Sequence, residues 1–115
     1  MPCTAATYNV TTTAAHTPTW SGTLTVNADG SGSFQPTGGT SSSVTVQCGT
    51  EPITGVPWIS FNYTAVQPAR HYQKAAKVAN SSPPEFKGSV NNTASGPGGD
   101  IDDWIADATG VSADY

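Results

Sequence analysis

The chain has 115 residues, a formal net charge of −4 and only 10% charged residues. This length is typical of one domain with one modest hydrophobic core. The acidic balance argues against non-specific binding to nucleic acid or to an anionic membrane surface, because both repel a negatively charged protein. No apolar run approaches the roughly 18 residues that a membrane-spanning helix requires. We therefore expect no nucleic-acid partner and no membrane partner.

Serine, threonine and glycine take the place of charged residues on the expected surface. A hydroxyl-rich surface with few ions is common in secreted domains and in coat or fibre proteins, and it departs from the average composition of globular proteins. The composition therefore favours an extracellular location or a particle surface, such as a virion or the cell exterior.

The chain contains two cysteines, Cys3 and Cys48. A bridge between them would close a loop worth roughly 4 kcal/mol in the chain-entropy model and would tie the N-terminal segment to a core strand. The alternative is two separate reduced thiols, with Cys48 buried as a small hydrophobic residue. Small extracellular domains often use such bridges, which favours the disulfide.

Residues 1–66 form the predicted β-rich body. The clearest signal is a hairpin, in which Leu24 and Val26 alternate with hydroxyl residues, Asp29-Gly30 forms the turn, and Phe34 returns on the inward face. Similar alternation marks strands near Tyr8, Val44, Val46, Ile59, Phe61 and Tyr63. Short strands separated by glycine and proline predict a mainly β fold, a small antiparallel β-sandwich or barrel with one or two short C-terminal helices.

Residues 67–115 form a predicted C-terminal arm within the same domain. The basic segment 68–80 has apolar residues at helical spacing, which predicts a helix. Segment 81–99 is rich in serine, asparagine, proline and glycine and predicts an extended coil, in which only a brief strand is expected. Segment 100–110 predicts a short helix, with Asp100 as the N-cap and Gly110 beyond its end.

The short C-terminal helix would carry an apolar stripe of Ile101, Trp104 and Ile105. A helix of this length is not stable alone in water, so its stripe must dock on folded protein. Burying these three side chains would contribute several kcal/mol, at roughly 1.5–3 kcal/mol for each large apolar side chain.

Opposite charges gather on the two halves of this arm. Three of the four cations lie in the basic segment, and the acidic residues cluster in the last helix; the expected charge-pairing residues are Arg70, Lys74, Lys77, Asp100, Asp103 and Asp107. Such complementarity sets register more than affinity. The acidic helix docks either on its own chain or on a neighbouring copy, and the alternative is that both segments are solvated faces.

Trp58 falls on the strand face opposite Ile59 and Phe61, where its ring is a candidate for stacking on a sugar. The alternative is that Trp58, like the other large aromatics, belongs to the small core. The two histidines, His16 and His71, have no obvious acidic or cysteine partner in the sequence, and no nucleophile motif or metal-ligand spacing is visible. We therefore expect no catalytic residues, no metal and no cofactor.

These features favour a non-catalytic structural or assembly protein, such as a coat, decoration, tail or surface-filament subunit, which uses its C-terminal arm to dock on itself or on a neighbour. The expected partner is protein, with self-association into a homo-oligomer. The alternative is a secreted module that binds carbohydrate or protein and is stapled by a Cys3–Cys48 disulfide.

Overall fold

The computed structural model describes residues 3–12, 21–66, 69–81, 83–92 and 101–108. These residues form eight strands and no helix. The strands are β1 (Ala6–Thr12), β2 (Gly22–Val26), β3 (Ser31–Pro36), β4 (Ser42–Thr50), β5 (Pro57–Tyr63), β6 (Arg70–Lys77), β7 (Glu85–Asn92) and β8 (Ile101–Ala108). Each strand pairs antiparallel with the next, and β8 pairs with β1 to close a barrel. The prediction of a mainly β fold is confirmed, as a barrel and not a sandwich.

The predicted hairpin forms β2 and β3, with Leu24 opposite Phe34. Gly30 has φ 89°, a left-handed conformation that glycine adopts without steric cost. In the same turn, the backbone N–H and the hydroxyl of Ser31 both donate to the Asp29 carboxylate, at 2.9 and 2.6 Å. Both bonds lower the pKa of Asp29, and the bond from the Ser31 hydroxyl contributes more than the bond from its backbone N–H. The turn chemistry therefore agrees with the strand alternation on either side of it.

The barrel interior is filled by side chains, as expected for a closed sheet of eight strands. Seven aromatic rings in the centre are almost completely buried: Tyr8, Phe34, Phe61, Tyr63, Tyr72, Phe86 and Trp104. Phe61 stacks on Tyr72 with ring centroids 4.3 Å apart, and Trp104 packs edge-on against both. Smaller aliphatic residues complete the core. The interior is therefore a packed core.

The helix predicted for the basic segment 68–80 is wrong, because residues 70–77 form strand β6. This strand carries one extra residue, and its register shifts against β5 and β7 just after Tyr72. Gln73 and Lys74 are consecutively exposed at this bulge, so the next inward residue is Ala75. The bulge thus creates a spacing of three between Tyr72 and Ala75 that is also typical of a helix.

The helix predicted for 100–110 is also wrong, because Ile101–Ala108 forms strand β8. This strand lies between β1 and β7 and closes the barrel. Closure provides backbone partners along both of its edges, whereas an isolated short helix is marginal in water. The coil predicted for 81–99 is corrected as well, since its central part forms the eight-residue strand β7.

Trp104 reaches across β7 inside the barrel. Its backbone pairs with Gly88, and its indole Nε1–H donates to the carbonyl oxygen of Gln73 on β6, at 2.9 Å. A Cβ atom at position 88 would lie 2.5 Å from that oxygen and 2.8 Å from the indole nitrogen. The absence of a side chain at Gly88 therefore lets the indole reach the carbonyl at the β6 bulge.

The burial of Tyr72 predicts that the barrel loses stability at alkaline pH. Burial raises the pKa of its phenol, and the positive charge of Arg70 opposes the shift. The unfolded phenol ionises near 10.0 while the buried one stays neutral, so its contribution to stability is complete below that pH and is lost as pH rises above it. We expect the free energy of unfolding to fall less steeply above pH 10 in Tyr72→Phe than in the wild type, by urea denaturation followed by circular dichroism. Parallel profiles would contradict this assignment.

Candidate functional site

A surface cleft of about 360 Å³ lies on the outside of the barrel around Trp58. It is lined by Glu51, Thr54, Val56, Trp58, Lys74 and Ala76. The lining combines an aromatic ring and two small apolar residues with one carboxylate, one ammonium group and one hydroxyl. Because the interior of the barrel is packed, this outer cleft is the part of the described surface that best fits the expected contact functions.

Trp58 lies on β5 with its side chain on the outer face, since the next residue, Ile59, is buried inside. Its cross-strand neighbour is Gly49 on β4, and a Cβ atom at Gly49 would lie 2.7 Å from the indole ring. The ring therefore rests against bare backbone. Trp58 is therefore half-buried on the outer face and is not part of the core.

Lys74 approaches Trp58 from the other neighbouring strand. Its Nζ atom lies 4.6 Å from the centroid of the Trp58 ring, within range of a cation–π interaction. Lys74 reaches this position because the β6 bulge exposes two consecutive residues on the outer face. The bulge in β6 therefore has two consequences. It gives the sequence a helix-like spacing, and it places Lys74 in one wall of the cleft.

The loop between β4 and β5 forms the remaining wall and presents Ile53 to solvent. Two backbone hydrogen bonds close it: Glu51 N–H donates to Val56 O at 2.9 Å, and Gly55 N–H donates to Glu51 O at 2.7 Å. Gly55 has φ 71°, which this tight turn requires. Ile53 is 93% exposed at the tip. The loop is therefore an ordered turn that holds a large apolar side chain in water.

Glu51 and Ile53 were not among the site residues predicted from the sequence, because they lie in a segment between strands without a functional motif. The signal that was available is an isoleucine placed between proline and threonine in a turn that ends with glycine. Turn residues are usually polar, because their side chains face solvent. A single exposed isoleucine is common on protein surfaces, and its place next to the Trp58 cleft is what makes Ile53 a candidate contact residue.

The predicted charge-pairing residues that the structure describes lie on strands that are not direct neighbours in the barrel. Arg70 is buried at the start of β6, whereas Lys74 contacts Trp58. The acidic strand β8 lies one strand away from β6, with β7 between them. In backbone register, Asp103 is opposite Ser89, and Asp107 is opposite Glu85. Asp100 lies outside the described residues, as do the side chains of both other aspartates, so their pairing with Arg70, Lys74 and Lys77 stays a prediction.

The residues of the predicted docking stripe lie on a strand of the same chain. Trp104 is completely buried, while Ile105 is half-buried on the opposite face. Ile101 pairs with Asn91 in backbone register, and its side chain lies outside the described part. Trp104 is thus buried by the barrel of its own chain, as part of a strand and not of a docked helix.

Cys3 and Cys48 form a disulfide, with their Cα atoms 5.4 Å apart. Cys3 is almost fully buried, and its backbone N–H donates to Ala28 O at 3.0 Å. The bridge attaches the segment preceding β1 to β4, at the end of the barrel where β2 joins β3. A disulfide is compatible with an extracellular location.

The remaining polar groups form local contacts. His71 Nδ1 lies 2.6 Å from Asn62 Oδ1 across β5 and β6, on the outer side of the sheet. His16 lies outside the described residues. In the ranges that the structure describes, no three histidine, cysteine, aspartate or glutamate side chains form a group that could hold a metal ion. No helix in those ranges is long and apolar enough to cross a membrane.

The arrangement around Trp58 can bind a partner through ring stacking, apolar contact and one side chain of each charge. Comparison of the chain with protein-family models, with curated proteins and with solved structures gives no match.

Proposed function

We propose that the protein is a non-catalytic structural or assembly subunit, of the kind that builds coats, decorations, tails or surface filaments. The observation that carries this proposal is the exposed Ile53 on an ordered turn, next to the cleft at Trp58. Exposed apolar side chains beside a half-buried aromatic ring are typical of contact surfaces between proteins.

Two further features support a role as a building block. The interior is filled by aromatic and aliphatic side chains, and closure of the sheet leaves the outer strand faces and the described turns available for contact. The disulfide restrains the chain between Cys3 and Cys48. A packed core and a disulfide both favour the folded state of the barrel, which suits a building block of a coat or filament.

The native mass of the purified protein tests the proposal. We expect the mass-average molecular weight to rise above that of one chain as the concentration is raised from micromolar to millimolar, in sedimentation equilibrium without reductant. A Trp58→Ala variant should shift this rise to higher concentration, because it removes the largest side chain of the cleft. A wild-type protein that remains one chain throughout, and that does not associate with any neighbour in particles isolated from its source, would contradict an assembly role.

The second candidate function is a secreted module that binds carbohydrate or protein. It is favoured by the polar groups beside Trp58, since Glu51 and Thr54 could accept and donate hydrogen bonds to a sugar that stacks on the ring. Lys74 lies over the ring and would have to move for stacking. Retention on a glycan array that is lost in Trp58→Ala would support this candidate over assembly.

A further inference from the structure

The Ile53 side chain lies next to the Trp58 cleft but does not pack into the cleft of its own chain. Thr54 and Val56 of the loop line the cleft, whereas Ile53 is 93% exposed and contributes nothing to its lining. The two hydrogen bonds between Glu51 and the end of the turn hold this geometry. The Ile53 side chain can therefore be buried only against a second molecule.

The cleft offers what an isoleucine side chain requires. Its lining includes the Trp58 ring, Val56 and Ala76, and its volume of about 360 Å³ has room for a branched aliphatic group. Burial of a large aliphatic side chain against an aromatic ring removes apolar surface from water on both sides. The occupant that the chain itself supplies is Ile53 of another copy.

The charges at the rim are self-complementary. Glu51 and Lys74 line the same cleft, and each is exposed. When two identical surfaces face each other across a two-fold axis, residue i of one copy meets residue j of the other, and residue j meets residue i. Two Glu51–Lys74 pairs can then form between the copies when each Lys74 leaves the Trp58 ring, which also opens that ring face to Ile53 of the other copy.

The closeness of Ile53 to the cleft also decides the symmetry. An open filament requires a projecting group and its receptor on well-separated faces, so that each added copy leaves a free receptor. Here Ile53 lies in the β4–β5 hairpin, and the same hairpin supplies four of the six residues that line the cleft; β6 supplies Lys74 and Ala76. A two-fold contact therefore buries both projecting groups at once and closes.

We propose that two copies of this protein associate head to head through the β4–β5 hairpin, with Ile53 of each copy in the Trp58 cleft of the other. This inference rests on the proposed assembly function and specifies its elementary contact. The surface is small, so the dimer is weak, with a dissociation constant of about 10 µM to 1 mM.

Sedimentation equilibrium of the full chain tests the apolar part of this contact. We expect Ile53→Asp to raise the dimer dissociation constant at least about 10-fold, because it places a charge in an apolar cleft. Thr23→Asp is the matched control, since Thr23 is exposed on β2 and does not line the cleft. It should leave the constant unchanged. Thermal unfolding of both variants establishes that they fold.

Two single charge reversals test the symmetry. Glu51→Lys alone places two lysines opposite each other, and Lys74→Glu alone places two glutamates together, so each variant should dimerise at least about 5-fold more weakly. An equimolar mixture should recover an affinity within about 3-fold of the wild type, because both contacts in the mixed dimer then pair opposite charges. A contact within one chain predicts no such recovery.

The outcomes separate this inference from the proposed function. A wild-type oligomer that is insensitive to Ile53→Asp, or a mixture that does not recover, overturns the hairpin contact and leaves assembly standing. An open polymer without a dimer stage overturns the two-fold arrangement. A wild-type chain that stays monomeric at millimolar concentration overturns the hairpin dimer and the self-association part of the proposed function together.

Discussion

Replacement of Trp104 by alanine is expected to reduce the free energy of unfolding by about 3–5 kcal/mol, the largest effect of any single substitution considered for this chain. Trp104 is completely buried and contacts both Phe61 and Tyr72 edge-on. Its removal leaves a cavity in the barrel and leaves the Gln73 carbonyl without the indole donor. A domain of this size has a total stability of only about 5–15 kcal/mol, so the variant should be close to unfolding.

Guanidinium denaturation followed by far-ultraviolet circular dichroism measures this loss. Trp58→Ala is the matched control, because it removes the same side chain from the outer face and should cost about 1 kcal/mol. Trp104→Phe should fall between the two, since it keeps an aromatic ring but loses the hydrogen bond to Gln73. Equal losses at positions 58 and 104 would contradict the internal position of Trp104.

Gly88→Ala provides an independent check on the same contact. The added Cβ would lie within 3 Å of the Gln73 oxygen, the Ala75 Cα atom and the Trp104 indole nitrogen. Two of these three atoms belong to the backbone and cannot move away cheaply. We expect a loss of about 1–3 kcal/mol in the same denaturation experiment, and a neutral substitution would mean that the indole does not cross β7 at this point.

Loss of the Cys3–Cys48 bridge is expected to destabilise the barrel by about 4 kcal/mol. The two cysteines are 45 positions apart, so the bridge restricts a long stretch of the unfolded chain that includes β1 to β3 and most of β4. In the folded state it also holds the segment before β1 against the end of the barrel, where Cys3 N–H bonds Ala28 O. Both effects favour the oxidised protein.

Denaturation with and without reductant measures the contribution of the bridge. The midpoint should fall on reduction of the wild type, and a Cys3→Ala, Cys48→Ala double variant should show the lower midpoint under both conditions. The insensitivity of the double variant is the control for effects of the reductant elsewhere. An unchanged wild-type midpoint, with intact-mass analysis showing two free thiols, would contradict a stabilising bridge.

Strands near the middle of the chain could be predicted because their local pattern agrees with their environment. Leu24 and Phe34 alternate with polar residues on either side of an Asp-Gly turn, so one face is apolar whatever the partner strands are. The same alternation marks β5, where Ile59, Phe61 and Tyr63 face inward. In a sheet with one face on the core, period-two alternation of apolar and polar residues directly reflects which side chains are buried.

β6 and β8 could not be predicted in this way, because their local patterns are ambiguous. In β6 the bulge after Tyr72 changes the phase of the inward residues, and a spacing of three is shared with a helix. In β8 the aspartates around Trp104 satisfy the rules for a helix N-terminus. A bulge and a closing strand depend on neighbours that are distant in the chain, so no local window contains the deciding contacts.

The candidate site shows the same division. Trp58 was identified from its place opposite Ile59 and Phe61, but its contacts with Lys74 and with the loop at Ile53 depend on the pairing of β5 with β4 and β6.

The sequence by itself determined a mainly β chain with an Asp-Gly hairpin and predicted that Trp104 must be buried, because alternation and apolar surface act locally; it left open whether Trp58 faces outward or belongs to the core. Only the tertiary structure decided that residues 70–77 and 101–108 are strands, and that Trp58, Lys74 and Glu51 share one cleft. The physical reason is that closure of a sheet supplies backbone partners to both edges of the last strand, and this gain outweighs local helix preference.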